Sequence, residues 1–259
     1  MGVTSLADEI YLLRGLKGGR DNVEVYDVIT YRLQRRLTVP NSRGFSDMTS
    51  CEHYRCVYIV DVIECIHRLD VQGAATRWPV NDKPQGLSVN AAHNVLVTCP
   101  RVRKIKEFSS HGDLIRELAL PNDVICPNHA IQTRNGDFIV SHGCRRGDAV
   151  HRVCKVSVDG HDLVQSHGGQ RGSATGQYNV PFHLAVDNNE FVFVVDGLNR
   201  RVTLLSPTLG YIRQVVSEDE LKWWPGRLCV DIHRRRLYVT DNDYKDDRFT
   251  AGRAVVFSV

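Results

Sequence analysis

A short β-strand pattern recurs six times along this 259-residue chain, and this recurrence constrains the fold more than any other feature. Each copy opens on a residue that is followed by an apolar run, and the intervals between openings are 42, 42, 43, 54 and 44 residues. A proline stands two residues before the opening in four copies. The six openings are Gly2, Gly44, Gly86, His129, His183 and Arg227. A period of about 40–45 residues is typical of the four-stranded blade of a β-propeller.

A second apolar run follows each opening and repeats with a similar period. These runs read IYLLR, VYIVD, VLVTC, FIVSH, VFVVD and LYVTD, and they end at residues 14, 61, 99, 142, 196 and 241. The sequence therefore predicts an all-β fold, a single six-bladed propeller domain over residues 1–259 with four antiparallel strands per blade. We place the blades at approximately 1–41, 42–83, 84–124, 125–178, 179–222 and 223–259.

The sixth blade ends on its third predicted strand, AVVFSV. A propeller usually completes its last sheet with a strand from the other terminus, because an open sheet edge invites unwanted pairing. Here only one or two residues precede the first strand. Either the closing blade has three strands or the chain was cut from a longer, multidomain protein, and we favour the second explanation.

The cysteines and the apolar runs predict a location in the cytoplasm, away from membranes. The eight cysteines show no CxxC pair, so we expect buried free thiols and a reducing compartment. The apolar runs have the length of strands, and the N-terminus lacks the basic and long apolar regions of a signal peptide. No G-x-S-x-G, P-loop or H-E-x-x-H motif occurs, so we expect no cofactor.

The fifth blade carries the most specific pattern. Its segment YNVPFHLAVDNNEFVFVVDGLNRRVTLLSPTLGY resembles an NHL repeat in its proline-led opening, its two strands ending in Val-Asp, and its Asn-Arg-Arg-Val segment. WPGRLCVD and LYVTDND in the sixth blade keep part of this pattern. The resemblance covers the whole chain in period and about two blades in sequence, and it is greatest to the propeller of tripartite-motif (TRIM) NHL proteins. It implies a module that recognises RNA or protein and performs no chemistry of its own.

Arginine dominates the basic residues, with 26 arginines against 7 lysines. Its planar guanidinium pairs with phosphate or carboxylate through two hydrogen bonds. In a propeller, the loops between second and third strands lie on the same face as the openings. We therefore predict a ligand-binding face at one mouth of the channel, formed by Arg14, Arg20, Arg101, Arg103, Arg145, Arg146, Arg200, Arg201 and Arg227.

The arginine placement favours a non-catalytic recognition module that binds RNA or an acidic protein segment. Ordinary polarity of surface loops is the alternative explanation for these charges. We expect the aspartates of VVDG and VTDN to cap their own turns and to orient neighbours such as Arg201.

A metal-dependent lyase or a lactonase-like hydrolase is the second hypothesis. His129 and His183 occupy equivalent positions in adjacent blades, and His142 ends a neighbouring strand, so three imidazoles are candidate metal ligands at the channel mouth. Against this site, Gly44 and Gly86 offer no ligand from the other side, and Arg227 brings positive charge beside it. Histidines that are hydrogen-bonded to backbone or water are the alternative that we favour.

Overall fold

The computed structural model describes residues 1–14, 22–42, 44–62, 64–145, 150–245 and 248–259, and of residues 244, 245 and 248–250 it describes only the backbone. Within these ranges the chain forms six antiparallel sheets, and the only helical element is a 3-10 turn at Gly197–Asn199. Five sheets have four strands in sequence order, and the sixth has three. The predicted all-β, six-bladed propeller is confirmed, and its last blade is incomplete.

The strands of each blade follow one another from the channel to the rim and alternate in direction. The first three sheets contain β1 (Val3–Leu6), β2 (Glu9–Arg14), β3 (Asn22–Asp27), β4 (Leu33–Thr38); β5 (Phe45–Cys51), β6 (Cys56–Asp61), β7 (Cys65–Asp70), β8 (Ala75–Pro79); β9 (Gly86–Val89), β10 (Val95–Cys99), β11 (Lys104–Phe108), β12 (Leu114–Ala119). The other three contain β13 (Pro127–Gln132), β14 (Phe138–His142), β15 (His151–Val156), β16 (Leu163–Gly169); β17 (Pro181–Val186), β18 (Val192–Asp196), β19 (Arg201–Leu205), β20 (Tyr211–Val216); β21 (Trp224–Asp231), β22 (Arg236–Lys245), β23 (Arg248–Ser258).

The core consists of six apolar clusters, one between each pair of neighbouring blades. Second strands lie in the middle of this packing, and every residue of β6, β10, β14 and β18 is buried. A strand that is covered on both faces requires a continuous apolar run, which explains why the runs that end at residues 61, 99 and 196 are so clear in the sequence.

Two faces follow from the strand directions. First strands begin and second strands end on one side, which we call the mouth face. Turns between first and second strands, and between third and fourth strands, lie on the other side, which we call the far face. The loops that carry the predicted arginines therefore lie on the mouth face.

One predicted position is wrong. The repeat alignment assigned Gly44 to the channel position of blade two, but Asp47 pairs with Val60 in the same register in which His129 pairs with Ser141 and His183 with Val195. Each of these first strands carries a β-bulge immediately before the channel residue. A bulge inserts one residue and redirects the next side chain. Blade two has this bulge but lacks the proline that marks it in blades four and five.

The thiol prediction is also wrong for two cysteines. Cys126 and Cys144 form a disulfide, with their Cα atoms 5.8 Å apart. They flank the paired strands β13 and β14, so the fold brings them together across the end of a hairpin. The other six cysteines are free. Among the described residues, no helix has the length and apolar character needed to cross a bilayer.

Candidate functional site at the channel mouth

Six equivalent positions, one from each first strand, surround the channel just inside the mouth. They hold Gly2, Asp47, Gly86, His129, His183 and Arg227. The two glycines leave room for side chains of the neighbouring blades, Met48 beside Gly2 and His129 beside Gly86. A Cβ atom on Gly86 would lie 2.7 Å from the carbonyl oxygen of Asn128 and 2.8 Å from the His129 ring. Gly86 is therefore required by the packing of His129.

Asp47 and Arg227 form a buried ion pair across this ring. Arg227 Nε donates to Asp47 Oδ1 at 2.7 Å, and Arg227 Nη2 donates to the carbonyl oxygen of Ser46 at 2.8 Å. Asp47 also accepts the backbone N–H groups of Met48 at 2.9 Å and Leu87 at 2.8 Å. Burial by itself raises the pKa of a carboxyl, but Arg227 and the neighbouring imidazoles hold the pKa of Asp47 well below its usual range. The carboxylate is therefore ionised.

The two histidines of the ring are neutral and lie against each other. Their ring centroids are 3.9 Å apart. Burial, reinforced by His183, lowers the pKa of His129 to about 3, and burial also lowers the pKa of His183. His129 Nε2 donates to the carbonyl oxygen of Leu87 at 2.8 Å, whereas His183 Nδ1 accepts the backbone N–H of Leu228 at 3.5 Å. The neutral His183 therefore presents its Nε2–H group to Asp47 Oδ2, 3.4 Å away.

Asp47, His129 and His183 offer one ligand atom each within 4.8 Å of one another, so their spacing is compatible with a metal ion. Two of their hydrogen-bond arrangements oppose a metal. Both oxygens of Asp47 already accept strong donors, and His129 Nε2, which lies 3.9 Å from Asp47 Oδ2, donates to a backbone carbonyl oxygen. The backbone contact of His183 uses Nδ1 and leaves Nε2 facing the cluster. A cation here would also lie beside the Arg227 guanidinium. These contacts form a buried hydrogen-bond network that joins five blades, and the network fits these residues better than a metal does.

His142 does not join this cluster. It accepts a hydrogen bond from Arg152 Nε at 2.9 Å, and Arg152 binds Asp123 at 2.6 Å. The three-imidazole arrangement is therefore wrong in its third member. Sequence reasoning missed Asp47, although its place three residues after an opening and its position among apolar strand residues were the available signals.

A pocket of about 400 Å³ opens outside this ring, at the channel mouth. Its wall includes three aromatic side chains, Phe45, Phe182 and Trp224, and three cationic ones, Lys83, Arg101 and Arg227. Among the described residues, no carboxylate belongs to its lining. Arg145 extends the wall, because its guanidinium lies 4.6 Å from the centre of the Trp224 ring. The centre of the Phe182 ring lies 5.2 Å from the centre of the Trp224 ring and 4.4 Å from the guanidinium carbon of Arg227.

The predicted arginines divide into two groups by their contacts. Arg14 binds Glu24 at 2.8 Å, Arg201 binds Asp196 at 2.8 Å, and Arg227 binds Asp47, so these three hold the fold together. The exposed group consists of Arg101, Arg103, Arg145 and Arg200. Arg20 and Arg146 lie outside the described residues.

The aspartates of VVDG and VTDN orient neighbouring arginines, as predicted, but the backbone N–H groups that they accept among the described residues belong to the segment entering the blade and not to their own turns. Asp196 accepts the backbone N–H of Asn179 at 2.7 Å and orients Arg201. Asp241 accepts the N–H groups of Lys222 and Trp223 and binds Arg253 at 2.9 Å. Because these carboxylates are buried and paired, they do not offset the charge at the mouth.

Comparison with known proteins shows that solved structures share the fold of this chain. No protein-family model matches the chain, and no curated protein matches it. A protein of unknown function from Bacteroides caccae has a TM-score of 0.67 at 14% identity, over 92% of this chain and 84% of that one. Virginiamycin B lyase from Staphylococcus aureus has a TM-score of 0.63 at 12% identity, over 100% and 83%. Hydrazine synthase from Kuenenia stuttgartiensis has a TM-score of 0.67 at 11% identity, over 100% and 95%. At such identities the likeness shows the fold alone, and the NHL assignment stays a prediction.

Proposed function

We propose that this propeller is a non-catalytic recognition module whose channel mouth binds an acidic protein segment. One observation carries the proposal: the mouth pocket combines cationic and aromatic side chains with no carboxylate in its described lining. A volume of about 400 Å³ lies within the range of pockets that hold a side chain or a small ligand.

The chemistry of the pocket suits a carboxylate next to an apolar group. Arg101 and Lys83 are exposed at its edge and are able to pair with carboxylates, Arg101 through two hydrogen bonds. Trp224 and Phe182 supply a surface for the apolar part of the same segment. Arg227 contributes less, because Asp47 already neutralises its charge.

An acidic segment is favoured over RNA by the extent of the positive charge. Nucleic-acid affinity grows with the number of phosphates that are neutralised, and it needs a continuous basic track. Arg14, Arg201 and Arg227 are committed to internal carboxylates. Among the described residues of the predicted site, the exposed charge is therefore that of Arg101, Arg103, Arg145 and Arg200. A short acidic segment matches this confined charge.

Fluorescence anisotropy tests the proposal with three labelled probes of equal length: an acidic peptide with interspersed leucines, its glutamine-substituted counterpart and a single-stranded RNA. We expect saturable binding of the acidic peptide alone, weakened by salt. The double variant Lys83→Glu/Arg101→Glu should lose this binding, whereas Arg55→Glu, an exposed change on the far face, should keep it. Preferential binding of RNA would replace the acidic segment by a nucleic acid, and equal binding of the glutamine peptide would remove the electrostatic basis.

The second candidate is a metal-dependent lyase or hydrolase working in the channel. It draws on the proximity of Asp47, His129 and His183 and on the fold shared with a lyase. The occupied oxygens of Asp47 make it the weaker candidate. Metal analysis of the purified protein separates the two: a stoichiometric divalent ion that is lost in His129→Ala and His183→Ala variants would reverse this ranking.

A further inference from the structure

The Cys126–Cys144 disulfide lies on the mouth face, at the open end of the hairpin formed by β13 and β14. The backbone ladder of this hairpin stops at the pair Pro127 and His142. Beyond that pair, the N–H group of Gly143 donates to the carbonyl oxygen of Cys126 at 3.3 Å, and the next residue is Cys144. The sulfur–sulfur bond therefore fixes the chain where the ladder no longer does.

The residue after Cys144 connects the disulfide to the mouth pocket. This residue is Arg145, and its guanidinium lies 4.6 Å from the centre of the Trp224 ring. Trp224 forms part of the pocket wall. A guanidinium over an indole ring is attracted by the negative face of the ring. Because Arg145 follows Cys144 directly, the disulfide sets the point from which the Arg145 side chain reaches Trp224.

The disulfide is accessible to small thiols, whereas most free thiols of the chain are buried. Cys126 and Cys144 are both half-buried. Four of the six free cysteines are buried, and burial raises the pKa of Cys99 and that of Cys154 to about 12. Such thiols hold almost no thiolate at pH 7, and the thiolate is the species that exchanges with a disulfide. Exchange with Cys154 of the same blade is therefore suppressed, and an external thiol is the effective reductant.

We propose that the Cys126–Cys144 disulfide regulates binding at the channel mouth. In the oxidised protein it holds Arg145 against Trp224, where the guanidinium completes the cationic and aromatic wall. Reduction by a low-molecular-weight thiol releases Arg145 from this position and weakens the binding of the acidic segment. This inference rests on the proposed function of the mouth.

The reduction is a thiol–disulfide exchange in two steps. The thiolate of the reductant attacks one protein sulfur, the bond between Cys126 and Cys144 breaks, and the departing sulfur takes up a proton. A second reductant thiolate then attacks the reductant sulfur of the mixed disulfide and releases the other protein thiol. Two reductant thiols become one disulfide, and the protein gains two thiols. Oxidised reductant drives the same steps in reverse.

The affinity of the acidic, leucine-containing peptide measures the effect. Reduction should weaken its binding by about threefold, which is the scale of one exposed ion pair. Fluorescence anisotropy gives the affinity in buffers of reduced or oxidised glutathione at equal ionic strength. Alkylation followed by mass spectrometry gives the fraction of Cys126 and Cys144 that is reduced in the folded protein. The loss of affinity should follow this fraction.

Three variants make the result specific. Arg145→Ala should bind the peptide as weakly as the reduced wild type does, and reduction should weaken it no further. Cys126→Ser/Cys144→Ser should bind equally weakly in both buffers. Cys65→Ser, which removes a half-buried free thiol from the third strand of blade two, should keep the full response to reductant.

Tryptophan fluorescence tests the same connection without a peptide. Reduction should change the emission of the wild type, because the Arg145 guanidinium leaves the Trp224 ring. The change should be absent in Arg145→Ala and in Trp224→Phe. Circular dichroism under the same conditions should show that the reduced protein keeps its β-structure.

The outcomes separate this inference from the proposed function. Equal peptide affinity in the two buffers, an undiminished response in Arg145→Ala, or unfolding of the reduced protein would each overturn the regulation. If the oxidised protein does not bind the acidic peptide, the proposed function of the mouth fails. The emission then decides the rest: a change that requires Arg145 supports the release of this side chain, and an unchanged emission overturns it.

Discussion

Replacement of Asp47 by asparagine probes the buried hydrogen-bond network at the channel mouth. The change is isosteric, so its effect arises from charge and hydrogen bonding and not from volume. It leaves the Arg227 guanidinium buried without a counter-charge, and it turns one acceptor oxygen into an NH₂ group that faces a donor. Breaking a buried ion pair from one side typically costs about 3–5 kcal/mol. Because Asp47 accepts donors from three blades, including Leu87 at 2.8 Å and Arg227 at 2.7 Å, we expect a loss in this range.

Urea unfolding, followed by circular dichroism at pH 7, measures this loss as a lower transition midpoint with an unchanged slope. Asp219→Asn is the matched control, because this exposed carboxylate should change stability by no more than about 0.5 kcal/mol. The double variant Asp47→Asn/Arg227→Met removes both charges, and it should be less destabilised than the sum of the single changes. A loss below about 1 kcal/mol for Asp47→Asn, or strict additivity in the double variant, would refute the buried pair.

Three further predictions follow from the same region. Burial lowers the pKa of His129 to about 3 in the folded protein, so the unfolded chain binds more protons below about pH 6.5 and stability should fall as the pH drops toward 3. The prediction is contradicted if the urea midpoint of the wild type falls no more between pH 7 and pH 4 than the midpoint of His129→Gln. Gly86→Ala should cost about 1–3 kcal/mol, because its Cβ atom would overlap the backbone of Asn128, and thermal unfolding would show whether the neighbour yields. Reduction of Cys126–Cys144, which encloses a loop of 18 residues, should lower stability by about 3 kcal/mol, and the Cys126→Ser/Cys144→Ser variant should be insensitive to reductant.

The fold was predictable because each blade has a buried second strand, and each buried strand leaves an apolar run in the sequence. Second strands are covered on both faces, so their apolar runs remain continuous even where the specific motif is lost. The site was less predictable because the channel residue of blade two lies three residues after the opening that the sequence pattern marks, and only the pairing register shows this offset. The sequence pattern aligned Gly44 with His129 and His183, whereas the paired register aligns Asp47 with them.

Side-chain contacts that the sequence pattern does not show account for the other differences. Position in a loop does not reveal whether an arginine is exposed, since Arg201 contacts a carboxylate of its own blade whereas Arg227 reaches Asp47, 180 residues away. The Cys126–Cys144 bond had a local signal: each cysteine lies one or two residues beyond the paired ends of one hairpin, Pro127 and His142.

The most direct test of recognition at the channel mouth is the affinity of an acidic peptide for the double charge reversal Arg101→Glu/Arg145→Glu. Both side chains are exposed beside the aromatic wall, so their replacement should leave the unfolding midpoint nearly unchanged. Binding at low salt should fall by at least about tenfold in this variant, while Arg55→Glu should bind as wild type does. Undiminished binding by the reversed protein would contradict the assignment of the mouth as the recognition site.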